Sequence, residues 1–228
     1  MTTGTVFLYI LIFLSSYLIG SVPWAYLIGR MYGRDLRKEG SGNIGATNVT
    51  RVIGKFWGRV CFLLDMIKGF LPVFIVTMLI KQQIIADVND LAQIIAAAGA
   101  VTGHMFCVFL KFKGGKGIST SAGCLLAMAP YSFAISGIVW VIVFLIGRYV
   151  SLASIAAAAV LPVSATFFAM MKVNGKAIYP VSVYILIFLY LLAILAILKH
   201  TGNIRRLISG TEHRFDKKNS KTEKENPK

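Results

Sequence analysis

Charged residues are scarce in this sequence. Only 14% of the 228 residues are Asp, Glu, Lys or Arg, whereas a soluble domain of this length carries about 25%. Acidic residues are rarer still, with nine Asp and Glu against 24 Lys and Arg. Because the charges also occur in short clusters between long apolar runs, the sequence excludes an ordinary soluble domain and predicts an integral membrane protein.

Cysteine and histidine are also few, which argues against several kinds of site. The three cysteines, Cys61, Cys107 and Cys124, have no CxxC spacing and lie in or beside apolar segments. We therefore expect small buried thiols rather than a disulfide framework or a metal centre. No Ser–His–Asp catalytic set can be assembled from the three histidines. We expect neither a metal ion nor a cofactor.

Apolar runs of about 20 residues, the length that crosses a bilayer core ~30 Å thick, recur along the chain. They predict an all-α fold with about seven transmembrane helices. The first run has no basic segment before it, so we interpret it as a retained helix rather than a signal peptide. The predicted helices cover residues 5–29, 57–80, 91–110, 118–129, 131–146, 152–171 and 180–198.

The fourth and fifth of these helices come from one long apolar run, Ile118 to Ile146, which contains Pro130. Proline removes a backbone donor and clashes with the preceding turn, so we divide the run into two helices. A single tilted and kinked helix is the alternative, and it would reverse the orientation of every later segment. The division into two keeps Arg148 and the C-terminal segment on the side that holds most of the positive charge.

The net charge of +15 follows from membrane topology. Of the 24 Lys and Arg, 20 fall on one side if the predicted spans alternate. The positive-inside rule puts this side in the cytoplasm, with the N-terminus outside and the C-terminus cytoplasmic. We therefore expect no nucleic-acid partner, and no obligate protein partner is inferred. Residues 1–214 form one transmembrane domain, and residues 215–228 are predicted to be a disordered basic tail that contacts membrane lipid.

A glycine-rich polar loop follows the first predicted helix. Gly40, Gly42 and Gly45 lie within six residues, and glycine lets a backbone adopt positive φ and approach a ligand closely. Successive backbone N–H groups in such a loop form a nest for anions, and Arg51 can hold a phosphate through two parallel hydrogen bonds. The polar side chains of the loop are Ser41, Asn43, Thr47, Asn48 and Thr50.

A second glycine-rich loop, around Lys113 and Lys116, lies two predicted crossings later. A lysine in a partly desolvated loop can stabilise charge that develops on a phosphoryl group. We interpret the two loops as halves of one phosphate site at a membrane face. The alternative is a pair of tight interhelical turns whose lysines face lipid headgroups. Neither loop fits a nucleotide motif, because no strand precedes the first and Leu110 stands where a P-loop needs glycine.

Further candidates lie on the same predicted face or inside the helices. Ser151, His200 and Asn203 occur in cytoplasmic turns, and Glu212 could be a base or could pair with an arginine, Arg205 or Arg206. Two alternatives stay open for the residues within helices. Asp65 and Lys68 share a helix face and either neutralise each other or contact a substrate, and His104 is either a packing residue or a catalytic one.

Taken together, three blocks of this sequence resemble the bacterial membrane glycerol-3-phosphate acyltransferases that use acyl phosphate. The blocks are Gly40–Arg51, Gly103–Thr120 and His200–Glu212. The resemblance implies seven helices and an active site at the cytoplasmic face of the bacterial inner membrane. It also implies that the 1-hydroxyl of glycerol 3-phosphate attacks acyl phosphate, which gives lysophosphatidate and inorganic phosphate.

The resemblance also implies roles for individual residues. Catalytic roles fall on Lys116, Ser41, Arg51, His200 and Asn203. Substrate or phosphate binding falls on Gly42, Asn43, Gly45, Thr47, Asn48, Lys113, Gly114, Gly115, Gly117, Ser151 and Glu212. With no obvious protein base, we hypothesise that the acyl phosphate's own oxygens take the hydroxyl proton. The competing class is a transporter of an anionic solute, which would need polar residues across the bilayer.

Overall fold

A computed structural model of the protein describes residues 2–87, 89–173, 176–177 and 181–215. The predicted turn at Asn174 and the predicted tail from Asp216 lie outside these residues. The helices are α1 Thr3–Ser21, α2 Trp24–Met31, α3 Ala46–Val52, α4 Lys55–Lys81, α5 Leu91–Met105, α6 Ile118–Met128, α7 Pro130–Gly147, α8 Val150–Met170, α9 Val183–Leu198 and α10 Thr201–Ile208. A 3₁₀ turn covers Val108–Leu110, and strands β1 Lys172–Val173 and β2 Lys176–Ala177 pair antiparallel.

Helices that are long and apolar enough to cross a membrane make up most of the described chain. Among the described residues five stretches qualify, namely Thr3–Met31, Lys55–Lys81, Leu91–Leu110, Pro130–Gly147 and Val150–Met170. The pair α9 and α10, bent by 53°, is a sixth candidate. Helix α6 has 11 residues and is therefore only about 16 Å long. Each of the seven predicted apolar segments is thus helical, although α6 is shorter than a bilayer core.

The long apolar run is divided at Pro130, as predicted. Helix α6 ends at Met128 and α7 begins at Pro130, whose missing N–H is harmless at a helix start. Lys116 precedes α6 and Ser151 begins α8, and both side chains line one cavity. Because α6 and α7 connect these two points, together they leave that face of the protein and return to it. The prediction of two helices is confirmed.

The first predicted helix, residues 5–29, is found as one candidate span, Thr3–Met31, but the helix within it is interrupted. The chain breaks at Val22 and Pro23, between α1 and α2, because proline cannot donate the next helical hydrogen bond. At this break the Val22 carbonyl accepts hydrogen bonds from the Trp24 backbone N–H at 3.2 Å and from Lys68 Nζ on α4 at 2.7 Å. Sequence reasoning also missed α3, which begins inside the predicted polar loop at Ala46, and α10, which follows His200.

Glycines let the spanning helices pack closely. At Gly20 a Cβ would overlap the Ala100 carbonyl of α5, and at Gly103 it would overlap the Tyr17 carbonyl of α1. Gly123 of α6 likewise leaves room only for the backbone of α4. Small residues at such contacts allow backbones to approach within a membrane, where burial against water supplies no driving force. The pairs α1–α5 and α4–α6 are therefore fixed in register.

Two apolar clusters hold the fold together. The larger lies among the spanning helices and includes Val73, Ala100 and Leu189, each fully buried. The smaller lies beneath the two glycine-rich loops and includes Leu36 and Val49. The second cluster gives both loops a common support. The three cysteines are buried and free, as predicted.

Candidate active site

A polar cavity of about 220 Å³ opens where the glycine-rich loops meet the first turns of α8 and α10. Segments far apart in the sequence contribute to its wall. The residues that line it are Ser41, Asn43, Thr47, Arg51, Lys116, Val150, Ser151, Lys199, His200, Gly202, Asn203, Arg206 and Glu212. All five residues with predicted catalytic roles therefore lie around one space.

The first loop is held in shape from inside by Asn48. Its side-chain amide donates 3.0 Å hydrogen bonds to the carbonyls of Leu36 and Glu39, and its oxygen accepts the Ser41 backbone N–H at 2.8 Å. Gly40 takes φ +60° and packs directly on this amide, so a side chain there would be strained and would overlap Asn48. Asn48 does not line the cavity, but it positions Ser41, which does.

Arg51 reaches the cavity from the last turn of α3. Its guanidinium carbon lies 5.2 Å from the centre of the Phe215 ring, a cation–π contact. The Phe215 backbone N–H donates to the Arg148 carbonyl at 2.9 Å. Partial burial lowers the pKa of Arg51, and the nearby Glu212 carboxylate opposes that effect. Phe215, which the sequence assigned to the tail, thus covers a residue of the cavity.

The glycines of the second loop face the protein rather than the cavity. Gly114 and Gly115 donate backbone hydrogen bonds to the carbonyls of Met105 and His104, at 3.2 and 3.1 Å. A Cβ on either glycine would overlap His104. Gly117 then takes φ +85° at the start of α6. These contacts turn the chain sharply, and as a result the intervening Lys116 side chain enters the cavity.

Lys116 is the most perturbed cation of the cavity. Its Nζ donates a hydrogen bond to Asn203 Oδ1. Burial lowers the pKa of Lys116 to about 8; Glu212 opposes the shift, and Arg206 and Arg51 add to it. The ammonium therefore loses its proton at a lower pH than that of an ordinary lysine. A bound phosphate would hold it in the charged form.

Glu212 ties together three elements of the wall. One carboxylate oxygen accepts hydrogen bonds from Ser151 Oγ at 2.8 Å and Asn203 Nδ2 at 2.7 Å, and the other accepts from Arg206 Nε at 2.7 Å. Burial raises the pKa of Glu212, but these hydrogen bonds outweigh burial and hold the pKa below its ordinary value. The carboxylate is therefore ionised and fully engaged. The sequence left two roles open for Glu212, a base or a partner of an arginine, and the structure shows it paired with Arg206.

His200 ends the turn between α9 and α10 and is buried. Its Nδ1 lies 2.8 Å from the Ala196 carbonyl, and because a carbonyl can only accept, Nδ1 carries the proton. In the neutral ring Nε2 is then an acceptor. The arrangement suits a hydrogen bond from a hydroxyl group of a ligand in the cavity.

The structure thus separates the predicted site residues into two groups. The residues that line the cavity are Ser41, Asn43, Thr47, Arg51, Lys116, Ser151, His200, Asn203 and Glu212. Those that do not line it are Gly42, Gly45, Asn48, Lys113, Gly114, Gly115 and Gly117, of which Gly42 and Lys113 are exposed. Sequence reasoning did not assign Lys199 or Arg206 to the site. The feature that could have indicated Arg206 is its position six residues before Glu212, with the end of a short helix between them.

The cations of the cavity exceed its carboxylates. Among the described lining residues, Arg51, Lys116, Lys199 and Arg206 carry positive charge and Glu212 carries negative charge. Mutual repulsion of clustered cations costs free energy unless an anion joins them. Arginine forks and lysine ammonium groups are the usual partners of phosphate. The cavity therefore suits a ligand with one or two phosphoryl groups.

A second polar cluster lies within the helices and does not line this cavity. Lys68 Nζ is 2.7 Å from Asp65 Oδ1, and His104 Nδ1 is 3.6 Å from the same oxygen. Lys68 also donates to the Val22 carbonyl. The cluster borders the loop glycines Gly114 and Gly115 from below. Of the two alternatives for Asp65 and Lys68, the structure shows the first: the two side chains form an ion pair and neutralise each other.

The sequence is similar to those of known glycerol-3-phosphate acyltransferases. The sequence profile of the family described as glycerol-3-phosphate acyltransferase matches residues 10–210. A glycerol-3-phosphate acyltransferase of Desulforamulus reducens is 40% identical over 92% of this chain and 96% of its own length. One from Aquifex aeolicus is 42% identical over 91% of this chain and 98% of its own length.

Solved structures give the same result for the fold. The chain resembles PlsY (YgiH), an integral membrane glycerol 3-phosphate acyltransferase, in its glycerol 3-phosphate form, with a TM-score of 0.79 and 38% identity. This match covers 91% of the chain and 96% of the solved one. The lysophosphatidic acid form matches with a TM-score of 0.76 and 37% identity over 91% and 95% of the two chains. The predicted all-α membrane fold is confirmed, while the orientation in the membrane stays a prediction.

Proposed function

The chain belongs to the glycerol-3-phosphate acyltransferase family, and we propose that its donor is acyl phosphate and its acceptor the 1-hydroxyl of sn-glycerol 3-phosphate. The products are lysophosphatidate and inorganic phosphate, as in the first step of phospholipid synthesis. The observation that carries the proposal is the excess of cations in a cavity of about 220 Å³. Two phosphorylated substrates would supply the missing negative charge.

We assign phosphate binding to cations from different elements. Arg51 on α3 can hold the phosphate of glycerol 3-phosphate through two parallel hydrogen bonds, with Ser41 and Thr47 as neighbouring donors. Lys116 stabilises the charge that develops on the donor's phosphoryl oxygens. His200 Nε2 accepts a hydrogen bond from a glycerol hydroxyl, because Nδ1 is committed to Ala196.

In the reaction that we propose, the 1-hydroxyl oxygen attacks the acyl carbonyl carbon. The bond from that carbon to the phosphate oxygen breaks with its electron pair, and phosphate leaves. The hydroxyl proton passes to an oxygen of the departing phosphate. Glu212 does not serve as the base, because three donors already engage its carboxylate. Phosphate is a good leaving group, so positioning and electrostatic stabilisation suffice.

We further propose that the cavity lies at the cytoplasmic face of a bacterial inner membrane. The positive charge of the loops around Arg51 and Lys116 supports this orientation, because Lys and Arg favour the cytoplasmic side. Both substrates carry phosphate and are therefore most accessible from the cytoplasm.

The test uses purified protein in detergent with acyl phosphate and sn-glycerol 3-phosphate. We expect release of inorganic phosphate and formation of one lysophosphatidate for each phosphate released. A reaction without glycerol 3-phosphate is the control for hydrolysis. Replacement of acyl phosphate by acyl-CoA tests the donor.

Two results would contradict this proposal in different ways. Acyl transfer from acyl-CoA but not from acyl phosphate would refute the donor and leave the acceptor intact. Absence of lysophosphatidate with every donor, from protein that still binds glycerol 3-phosphate, would favour the transporter class. A transporter has no reason to release phosphate from acyl phosphate.

A further inference from the structure

A second, apolar cavity of about 270 Å³ adjoins the polar one. It lies between α6, α7, α8 and α9, and its lining is almost entirely aliphatic and aromatic. Two of the few polar groups on its wall engage each other, since Trp140 Nε1 donates to Ser154 Oγ at 3.2 Å. Ser154 in turn donates to the Val150 carbonyl at 2.8 Å. The lining therefore suits an apolar ligand.

The two cavities are lined by neighbouring turns of the same elements. On α8, Ser151 lines the polar cavity and Ser154 lines the apolar one. Near the end of α9, His200 lines the polar cavity and Ala196 lines the apolar one. Residues three or four apart on a helix lie one turn apart on the same face. The apolar cavity thus begins about one helical turn deeper in the membrane-spanning part than the phosphate-binding groups.

The apolar cavity ends at a floor that the helices share. Counted along each helix away from the polar cavity, the last residues that line it are Leu125 on α6, Phe133 on α7 and Leu161 on α8. One turn further along, Met128 and Ala165 are buried in the packed core and do not line the cavity. The cavity therefore has a limited depth between the four helices.

The depth corresponds to a definite length of hydrocarbon. Ser151 and Leu161 are ten residues apart on α8, so about 15 Å separate the phosphate end from the floor. An extended chain advances about 1.2 Å per bond, because three backbone bonds span about 3.6 Å. About 12 carbon–carbon bonds therefore fit between the reacting carbonyl and the floor.

In the acyl transfer proposed above, the donor's acyl chain would lie in this cavity, and we propose that the far end of the cavity and its α8 wall select the chain length. The inference rests on the acyl transfer proposed above. Ala157 and Ala158 keep the α8 wall open because their side chains are small, while Leu161 and Phe133 close the end. A chain too long for the cavity must displace packed side chains, which costs about 1–3 kcal/mol, or about 5- to 150-fold in affinity.

The test is a competition assay in which acyl phosphates of about 8 to about 18 carbons, chosen to bracket the 12-bond depth, share one pool of glycerol 3-phosphate. Product chain lengths are read by mass spectrometry. Ala158→Phe should lower the proportion of the longest product about 10-fold relative to the shortest, since the new ring and a long chain would have to occupy the same space. Leu161→Ala and Phe133→Ala should shift the profile toward longer chains.

Val163→Phe is the matched control, because Val163 lies on the same helix with 61% of its surface exposed and does not line the cavity. It should leave the profile unchanged. Transfer of the shortest chain by Ala158→Phe also reports that the variant is folded, and the two enlarging variants test the idea in the opposite direction. A profile that none of the three cavity variants alters overturns this inference alone. Wild-type protein that makes no lysophosphatidate overturns the proposed function instead.

Discussion

The two polar clusters of the molecule differ in how their charges are matched. Asp65 and Lys68 lie 2.7 Å apart with at most 5% of either residue exposed, and Lys68 also donates to the Val22 carbonyl at the break between α1 and α2. Arg51 and Lys116 belong to a wall where cations outnumber carboxylates. A buried pair that neutralises itself serves the fold, whereas cations left unmatched require an anion from outside. An excess of positive charge, rather than the burial of charged groups, therefore distinguishes the candidate site.

The largest effect that we expect tests the matched pair. Asp65→Asn leaves the Lys68 ammonium buried without its carboxylate, which should lower the free energy of unfolding by about 3–5 kcal/mol. The double variant Asp65→Asn, Lys68→Met removes both charges and should recover most of that loss. Thermal unfolding in detergent measures both. A double variant as unstable as the single one would show that the loss of stability does not come from leaving the Lys68 charge unpaired.

The next largest effect tests the unmatched cations. Lys116→Ala should lower turnover by roughly 10²–10³-fold, as loss of one donor to a transition-state charge does, while the protein stays folded. Lys38→Ala, an exposed cation outside the cavity, is the control and should keep full turnover. Near-normal turnover of Lys116→Ala would remove this lysine from the site.

The pH dependence sharpens the same assignment. Because the pKa of Lys116 is lowered to about 8, the ammonium is charged below that value and neutral above it. The specificity constant kcat/KM reports the free enzyme, so it should fall as pH rises through about 8. In Lys116→Arg the guanidinium stays charged, and any residual activity should lack this fall. A wild-type profile that stays flat to about pH 10, near the ordinary lysine pKa, would contradict the assignment.

The smallest effect concerns the ring that covers Arg51. Phe215→Leu removes the cation–π contact, which is worth about 0.5–1 kcal/mol at such a position. We expect KM for glycerol 3-phosphate to rise about two- to fivefold with little change in kcat. Phe215→Tyr keeps the ring and should behave as the wild type. Equal KM values for all three proteins would mean that Phe215 does not orient Arg51.

Much of this architecture could be predicted from the sequence because hydropathy and proline act locally. The division at Pro130 followed from run length together with a missing backbone donor. The break at Pro23 was missed because the run there was short enough for one span. The additional helix α3 was missed because glycine and polar residues around Ala46 are equally typical of a loop.

The site was predictable in its chemistry but only partly in its geometry. Arg51 and Lys116 could be proposed because phosphate binding needs cations, whereas the role of Asn203 was implied by the family resemblance; all three line the cavity. The sequence could not indicate that Gly114 and Gly115 face the protein, since that depends on the position of His104 in the folded chain. Contacts between distant segments cannot be predicted from the spacing of residues within one short segment.

A crystal structure of this protein with sn-glycerol 3-phosphate tests the central claim most directly. We predict that the phosphate oxygens lie within hydrogen-bonding distance, about 2.7–3.2 Å, of Arg51 and that the Lys116 ammonium faces the same cavity. The glycerol should extend toward His200. A phosphate bound at the Asp65–Lys68 cluster, or at a surface that includes neither Arg51 nor Lys116, would contradict the account.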